Sequence, residues 1–182
     1  MMTGKTIMMS AAEKAARLQA VIAKATAYIG TKEDPIGSNR GRDVDRFLLA
    51  ANCAPGNSWC MAFVVAMFAW CNYTDVNGVK ILIPTASCQA QANHARGLGL
   101  LVSADDARTA LQPGWVMLVW EGGGYHHAGI VTAYNPFLGT FETIEGNTNT
   151  TGGREGTCVA RQRRRIRDLN EGRAKYAFIR TA

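Results

Sequence analysis

Ser58-Trp59-Cys60-Met61-Ala62-Phe63-Val64-Val65-Ala66-Met67-Phe68-Ala69-Trp70-Cys71 is apolar nearly all round. A helix with no polar face belongs at the centre of a fold rather than on its surface. Ser58 suits an N-cap, which predicts a helix from Trp59 to Cys71. Cys60 then falls in the first turn, where the positive end of the helix dipole stabilises a thiolate and lowers a cysteine pKa. A buried structural role is the ordinary fate of cysteine, and Cys53, Cys71, Cys88 and Cys158 are read that way. Cys60 is set apart by its helix-start position.

Working outward, residues 1–9 read as a frayed tail and 10–182 as one domain. Ser10 with Glu13 forms a capping box for a helix to about Ile29, with Leu18, Val21, Ile22 and Ala25 on one face. Gly30 suits its end. Residues 31–41 are rich in turn formers, and Asp43 to Ala51 reads as a short helix with Val44, Phe47 and Leu48 inward. Beyond the central helix, Ser87 to Gly97 is helical and more polar. From Trp115 the pattern changes. The run from Trp115 to Trp120 is bounded by Pro113-Gly114 and Gly122-Gly123-Gly124, as a buried strand should be. Further strands are expected near 127–134, 140–146, 157–163 and 176–180. Helices first and strands later predict an α+β fold, N-terminal helices packed on a C-terminal antiparallel sheet.

Two of those strands carry His127 and the pair Glu145 and Asn147. If Tyr134 and Thr140 flank a five-residue turn, His127 faces Asn147 and Gly129 faces Glu145. Side chains alternate along a strand, so Glu145 and Asn147 share the histidine's face. A one-residue slip would break the match. Gly129 leaves room for either side chain to reach the imidazole. The arrangement suits nucleophilic amide hydrolysis: Cys60 attacks, His127 takes and returns the proton, and Glu145 or Asn147 fixes the imidazole tautomer. The Cys60 backbone N–H suits an oxyanion donor. His126 points to the opposite face and is not expected to join, and His94 reads as a surface residue.

The chain has 182 residues, five cysteines with no Cys-x-x-Cys pair, and a formal charge of +6. That charge favours a polyanionic partner: nucleic acid, anionic lipid or a wall carrying acidic polymers. The basic run from Arg161 to Arg167 reads as a solvated strand edge, without the interleaved aromatics of a nucleic-acid site. Neither a zinc site nor a disulfide framework is expected. Asp34, Asn39, Asp43 and Asp45 read as turn and cap residues rather than calcium ligands. Gly122-Gly123-Gly124 lacks the following helix and lysine of a phosphate loop and reads as a flexible loop beside the site. No segment approaches the length of a membrane span, and no secretory signal peptide is evident.

The order and separation of Gly37-Ser38-Asn39, Trp59-Cys60-Met61-Ala62-Phe63-Val64, Pro113-Gly114, His127-Ala128-Gly129-Ile130-Val131 and Ile144-Glu145-Gly146-Asn147-Thr148 resemble the CHAP family, the cysteine, histidine-dependent amidohydrolases/peptidases of the papain-like group. The resemblance covers roughly residues 28–147. It implies a papain-like fold, Cys60 as nucleophile, His127 as base, and Glu145 and Asn147 as residues orienting the histidine. It implies a peptidoglycan hydrolase, an N-acetylmuramoyl-L-alanine amidase or a stem or cross-bridge endopeptidase, of the kind found as phage lysins or wall-targeting toxins. No cofactor, metal or nucleic-acid partner is expected; the partner is peptidoglycan, and the protein is expected to be a monomer. It is expected to be made in the cytoplasm and to act on the wall after release or export. One departure is visible: family members commonly carry Asp after Pro-Gly, where this chain has Trp115. Two alternatives stand beside this reading: a non-catalytic wall-binding or virion-structural module, and an amidase or acyltransferase on a soluble amide.

Overall fold

The computed structural model describes residues 8–149 and 156–182. Most of the expected tail lies outside those residues, but Met9 is anchored: its N–H donates to Asn77 Oδ1 and its side chain packs on the core. Helix α1 (Ala11–Ala27) begins with the expected capping box. Ser10 Oγ accepts from Glu13 N–H, and Glu13 accepts from the Ser10 N–H at 2.7 Å. Helix α2 (Arg42–Ala50) buries Val44, Phe47 and Leu48 as its pattern requires. Helix α3 (Cys60–Trp70) buries every residue from Cys60 to Phe68.

The cap of α3 differs from expectation. Trp59, not Ser58, is the N-cap residue, and no side chain caps the helix. Trp59 is held another way: its buried indole N–H donates to Glu33 Oε1 at 2.8 Å, and its ring stacks on Phe47. An apolar cap residue inside the core fixes where α3 begins, so packing replaces the hydroxyl cap.

A small ribbon follows, β1 (Asp75–Val76) with β2 (Val79–Lys80). It turns through Asn77 and Gly78, both at positive φ, a two-residue hairpin signal visible in the sequence but not used above. Helix α4 (Cys88–Gly97) starts at the expected cap, with Ser87 Oγ accepting from Ala90 N–H. Strand β3 (Leu101–Ser103) and the single-turn helix α5 (Ala104–Ala107) complete the first half.

The second half supplies β4 (Val116–Glu121), β5 (Gly124–Asn135), β6 (Thr140–Thr148), β7 (Cys158–Arg165), the ribbon β8 (Leu169–Asn170) with β9 (Arg173–Ala174), and β10 (Tyr176–Ile179). Five of these strands join β3 in one six-stranded antiparallel sheet in the order β3-β10-β4-β5-β6-β7. The fold is α+β, helices against an antiparallel sheet, as expected. One face, through Val116, Leu118, Ala128, Ile130 and Ile144, joins the helical core around α3. The other, through Met117, Val119, Val131, Phe141 and Phe178, makes a second core with α5 and Trp115. Trp115, the departure noted above, has its indole N–H buried without a partner. Gly122 and Gly123 form the tight β4–β5 turn, both at positive φ, in place of the longer loop expected.

Candidate active site

The β5–β6 hairpin decides which side chains meet. Its closing pair is Asn135↔Thr140, one residue tighter at the turn than expected. That slip alone would turn Glu145 away from His127. A bulge between Val131 and Ala133 absorbs it, so Val131 pairs with Thr143 and Ile130 with Ile144. Those two pairs are in the expected register, and Glu145 lies over Gly129 as that register requires. Gly129 is then required: a Cβ there would sit 2.5 Å from Glu145 Cγ. Gly146 serves the other face, where a Cβ would meet Phe63 and Trp59 at the head of α3.

His127 is 3% exposed, and its Nε2 lies 2.7 Å from Glu145 Oε2. Glu145 is fully buried. It accepts from Thr143 Oγ1 and takes a two-pronged contact from Arg164, with Nε to Oε1 at 2.7 Å and the terminal nitrogen Nη2 to Oε2 at 2.6 Å. Burial alone would raise the Glu145 pKa, but its hydrogen bonds to His127 and Arg164 and their charges hold it down to about 2. Of the two orienting residues left open by the sequence, Glu145 is the one on the imidazole. Asn147 is nearby but serves elsewhere. It has positive φ (51°), is buried, and lines the cleft beside Cys60.

With Nε2 committed to Glu145, Nδ1 is the ring nitrogen left for the thiol. It is buried with no conventional hydrogen bond. The imidazole and Cys60 are nonetheless close enough that each shifts the other's titration. Burial lowers the His127 pKa, but Cys60 and Glu145 outweigh it and push it up to about 10. The Cys60 thiol is held well below its usual value. The largest cause is a hydrogen bond from Cys88, which outweighs burial, followed by His127 and the Met61 N–H at the helix start. Both shifts favour a thiolate–imidazolium pair.

Cys88 is buried, as its structural reading expects, but it also touches the nucleophile. Its Sγ lies 3.7 Å from Cys60 Sγ, at the first position of α4, so two helix starts converge on one thiolate. Donating to that thiolate, and being buried, pushes the Cys88 thiol well above its usual pKa. No local sequence signal joins residues 60 and 88; the approach of α4 to β5 brings them together. Arg164 was likewise read as part of a solvated run. Arg161, Arg163 and Arg165 are exposed, but Gln162, Arg164 and Ile166 alternate inward along the strand.

The thiol opens onto a cleft of ≈ 220 Å³ lined by Ser58, Ala86, Gln89, Tyr125, His126 and Asn147. His126 is exposed on its rim, and its carbonyl oxygen lies 3.7 Å from Cys60 Sγ. His94 lies away from this cleft, bonded to the Lys80 carbonyl. Asp43 and Asp45 pair with Arg46 and Arg40. No cluster of three or more metal-ligating side chains occurs among the described residues, and no described helix is long and apolar enough to cross a membrane.

Comparison with known families finds a match to the model of the CHAP domain over residues 52–147, more than half of the chain. That span contains Cys60, Cys88, His127, Glu145 and Asn147 but ends before Arg164. No curated protein and no solved structure matches the chain.

Proposed function

Because the chain belongs to the CHAP domain family, a family of peptidoglycan-hydrolase-type amidases and peptidases, we propose that it hydrolyses an amide bond of peptidoglycan with Cys60 as nucleophile and His127 as general base and acid. The observation that carries this reading is the His127–Glu145 hydrogen bond at 2.7 Å beside a thiol at a helix start that opens to a cleft. The thiolate attacks the carbonyl carbon, and the developing oxyanion takes the Cys60 backbone N–H. His127, already protonated, gives its Nδ1 proton to the leaving amine and then deprotonates the water that cleaves the thioester. Glu145 stays ionised and keeps the ring in place.

The bond cut is that of an N-acetylmuramoyl-L-alanine amidase or of a stem or cross-bridge endopeptidase, in a protein with the role of a phage lysin or wall-targeting toxin. The net charge of +6 supports attraction to an anionic wall. Digestion of purified peptidoglycan by the wild type and by Cys60→Ala, with mass spectrometry of the fragments, tests this. Cysteine-dependent products are expected, and their new termini identify the bond. Absence of products on several wall types would move the reading to a soluble amide or to a binding module.

A further inference from the structure

Glu145 cannot by itself account for the state of this site. A carboxylate with no exposure is costly to keep ionised, and a protonated Glu145 would give the imidazolium no counter-charge. Arg164 supplies what is missing. It approaches from β7, the edge strand of the sheet, and both prongs of its guanidinium engage both oxygens of Glu145. Its own side chain is only 10% exposed. Such a fork-to-carboxylate contact fixes the plane of the carboxylate as well as its charge.

We propose that Arg164 is a positioning residue of the site, holding Glu145 as an oriented anion so that the buried row Cys60–His127–Glu145–Arg164 stays charge-balanced. The row then reads thiolate, imidazolium, carboxylate, guanidinium, with no net charge. The other groups around it fit. Thr143, on the same strand as Glu145, donates to it. Cys88, from α4, faces Cys60. Tyr176, from β10, stands beside Arg164 and donates to Asp168. Arg164 reaches Glu145 from β7 and shares Oε2 with His127. It lies beyond the residues that the family model matches.

With Arg164 present, Glu145 keeps its charge to about pH 2. Without it, burial raises the Glu145 pKa. A protonated Glu145 no longer supports His127 as an imidazolium, and the ring loses the anion that orients it towards Cys60.

The inference rests on the roles of Cys60 and His127 proposed above, and its test needs no wall substrate. Carboxyl-carbon NMR of Glu145, its signal identified by its loss in Glu145→Gln, is followed against pH in the wild type, Arg164→Met and Arg164→Lys. In the wild type the carboxylate should persist to about pH 2. In Arg164→Met its midpoint should rise by roughly one pH unit or more, on the scale that one adjacent charge shifts a carboxyl. Arg164→Lys, which keeps the charge, should restore most of that shift. A merely structural arginine would lower the melting temperature and leave the Glu145 midpoint in place, and that result overturns the proposal. If Arg164→Met does not fold by circular dichroism, Arg164→Gln takes its place with the same two outcomes.

Discussion

His127 Nε2 and Glu145 Oε2 are 2.7 Å apart, while Asn147, two residues further along the same strand, lines the cleft instead. The two residues should therefore fail differently. Glu145→Gln leaves Arg164 without a counter-charge and removes one of the two anions beside the imidazolium. It should slow turnover, less than loss of the nucleophile does, and cost about 3–5 kcal/mol of stability, the usual penalty for breaking a buried ion pair. Asn147→Ala should leave the pH profile of Cys60 alkylation unchanged and reduce hydrolysis only mildly. Chemical denaturation and alkylation kinetics on the two variants separate these outcomes.

Cys60→Ala should fold and show no cysteine-dependent cleavage. His127→Ala should also fold, because the Glu145–Arg164 contact remains, and should lose on the order of 10²–10⁴ in rate. Full activity in either variant, measured on purified peptidoglycan, would remove that residue from its role.

Cys88→Ala removes the thiol that donates to the Cys60 thiolate, the largest single influence on it. The acid limb of Cys60 alkylation should move to higher pH while the base limb, set by His127 near pH 10, stays. An unchanged acid limb would show that Cys88 only fills space.

Stability should be nearly flat between about pH 6.5 and 9, the ordinary values of the two partners. In that window the folded thiolate–imidazolium pair holds one proton, and the unfolded thiol and neutral imidazole also hold one. Below it the unfolded imidazole gains a proton, so stability falls as pH falls towards the lowered Cys60 value. Glu145 adds to this loss between its ordinary 4.5 and about 2. Above pH 9 the unfolded thiol ionises, so stability declines towards pH 10, the linkage rule in both directions. Melting temperature against pH checks this, and a steady slope across the window would contradict the ion pair.

Gly129→Ala should displace Glu145, since the added methyl would lie 2.5 Å from its Cγ. Gly146→Ala should instead push α3 off the sheet, meeting Phe63 and Trp59 below 3 Å. Both should cost about 1–3 kcal/mol. Gly129→Ala should also slow turnover, because the displaced carboxylate no longer orients the imidazole, and Gly146→Ala should slow it by moving the thiol away from the imidazole.

What the sequence by itself determined is what depends on local pattern. An all-apolar segment had to be the central helix. Ser10 with Glu13 had to cap α1, and Ser87 had to cap α4. Alternation put Glu145 on the face of His127, and Gly129 had to leave room between them. What only the tertiary structure decided depends on contacts between segments distant in the chain. The bulge at Thr132, which offsets a tighter turn, set which side chains face each other. The approach of α4 placed Cys88 on the nucleophile. The pairing of β7 with β6 turned one arginine of a basic run inward onto Glu145. Glu145 rather than Asn147 took the imidazole because a buried carboxylate is tenable only where an arginine comes to meet it, and no stretch of sequence shows which arginine that is.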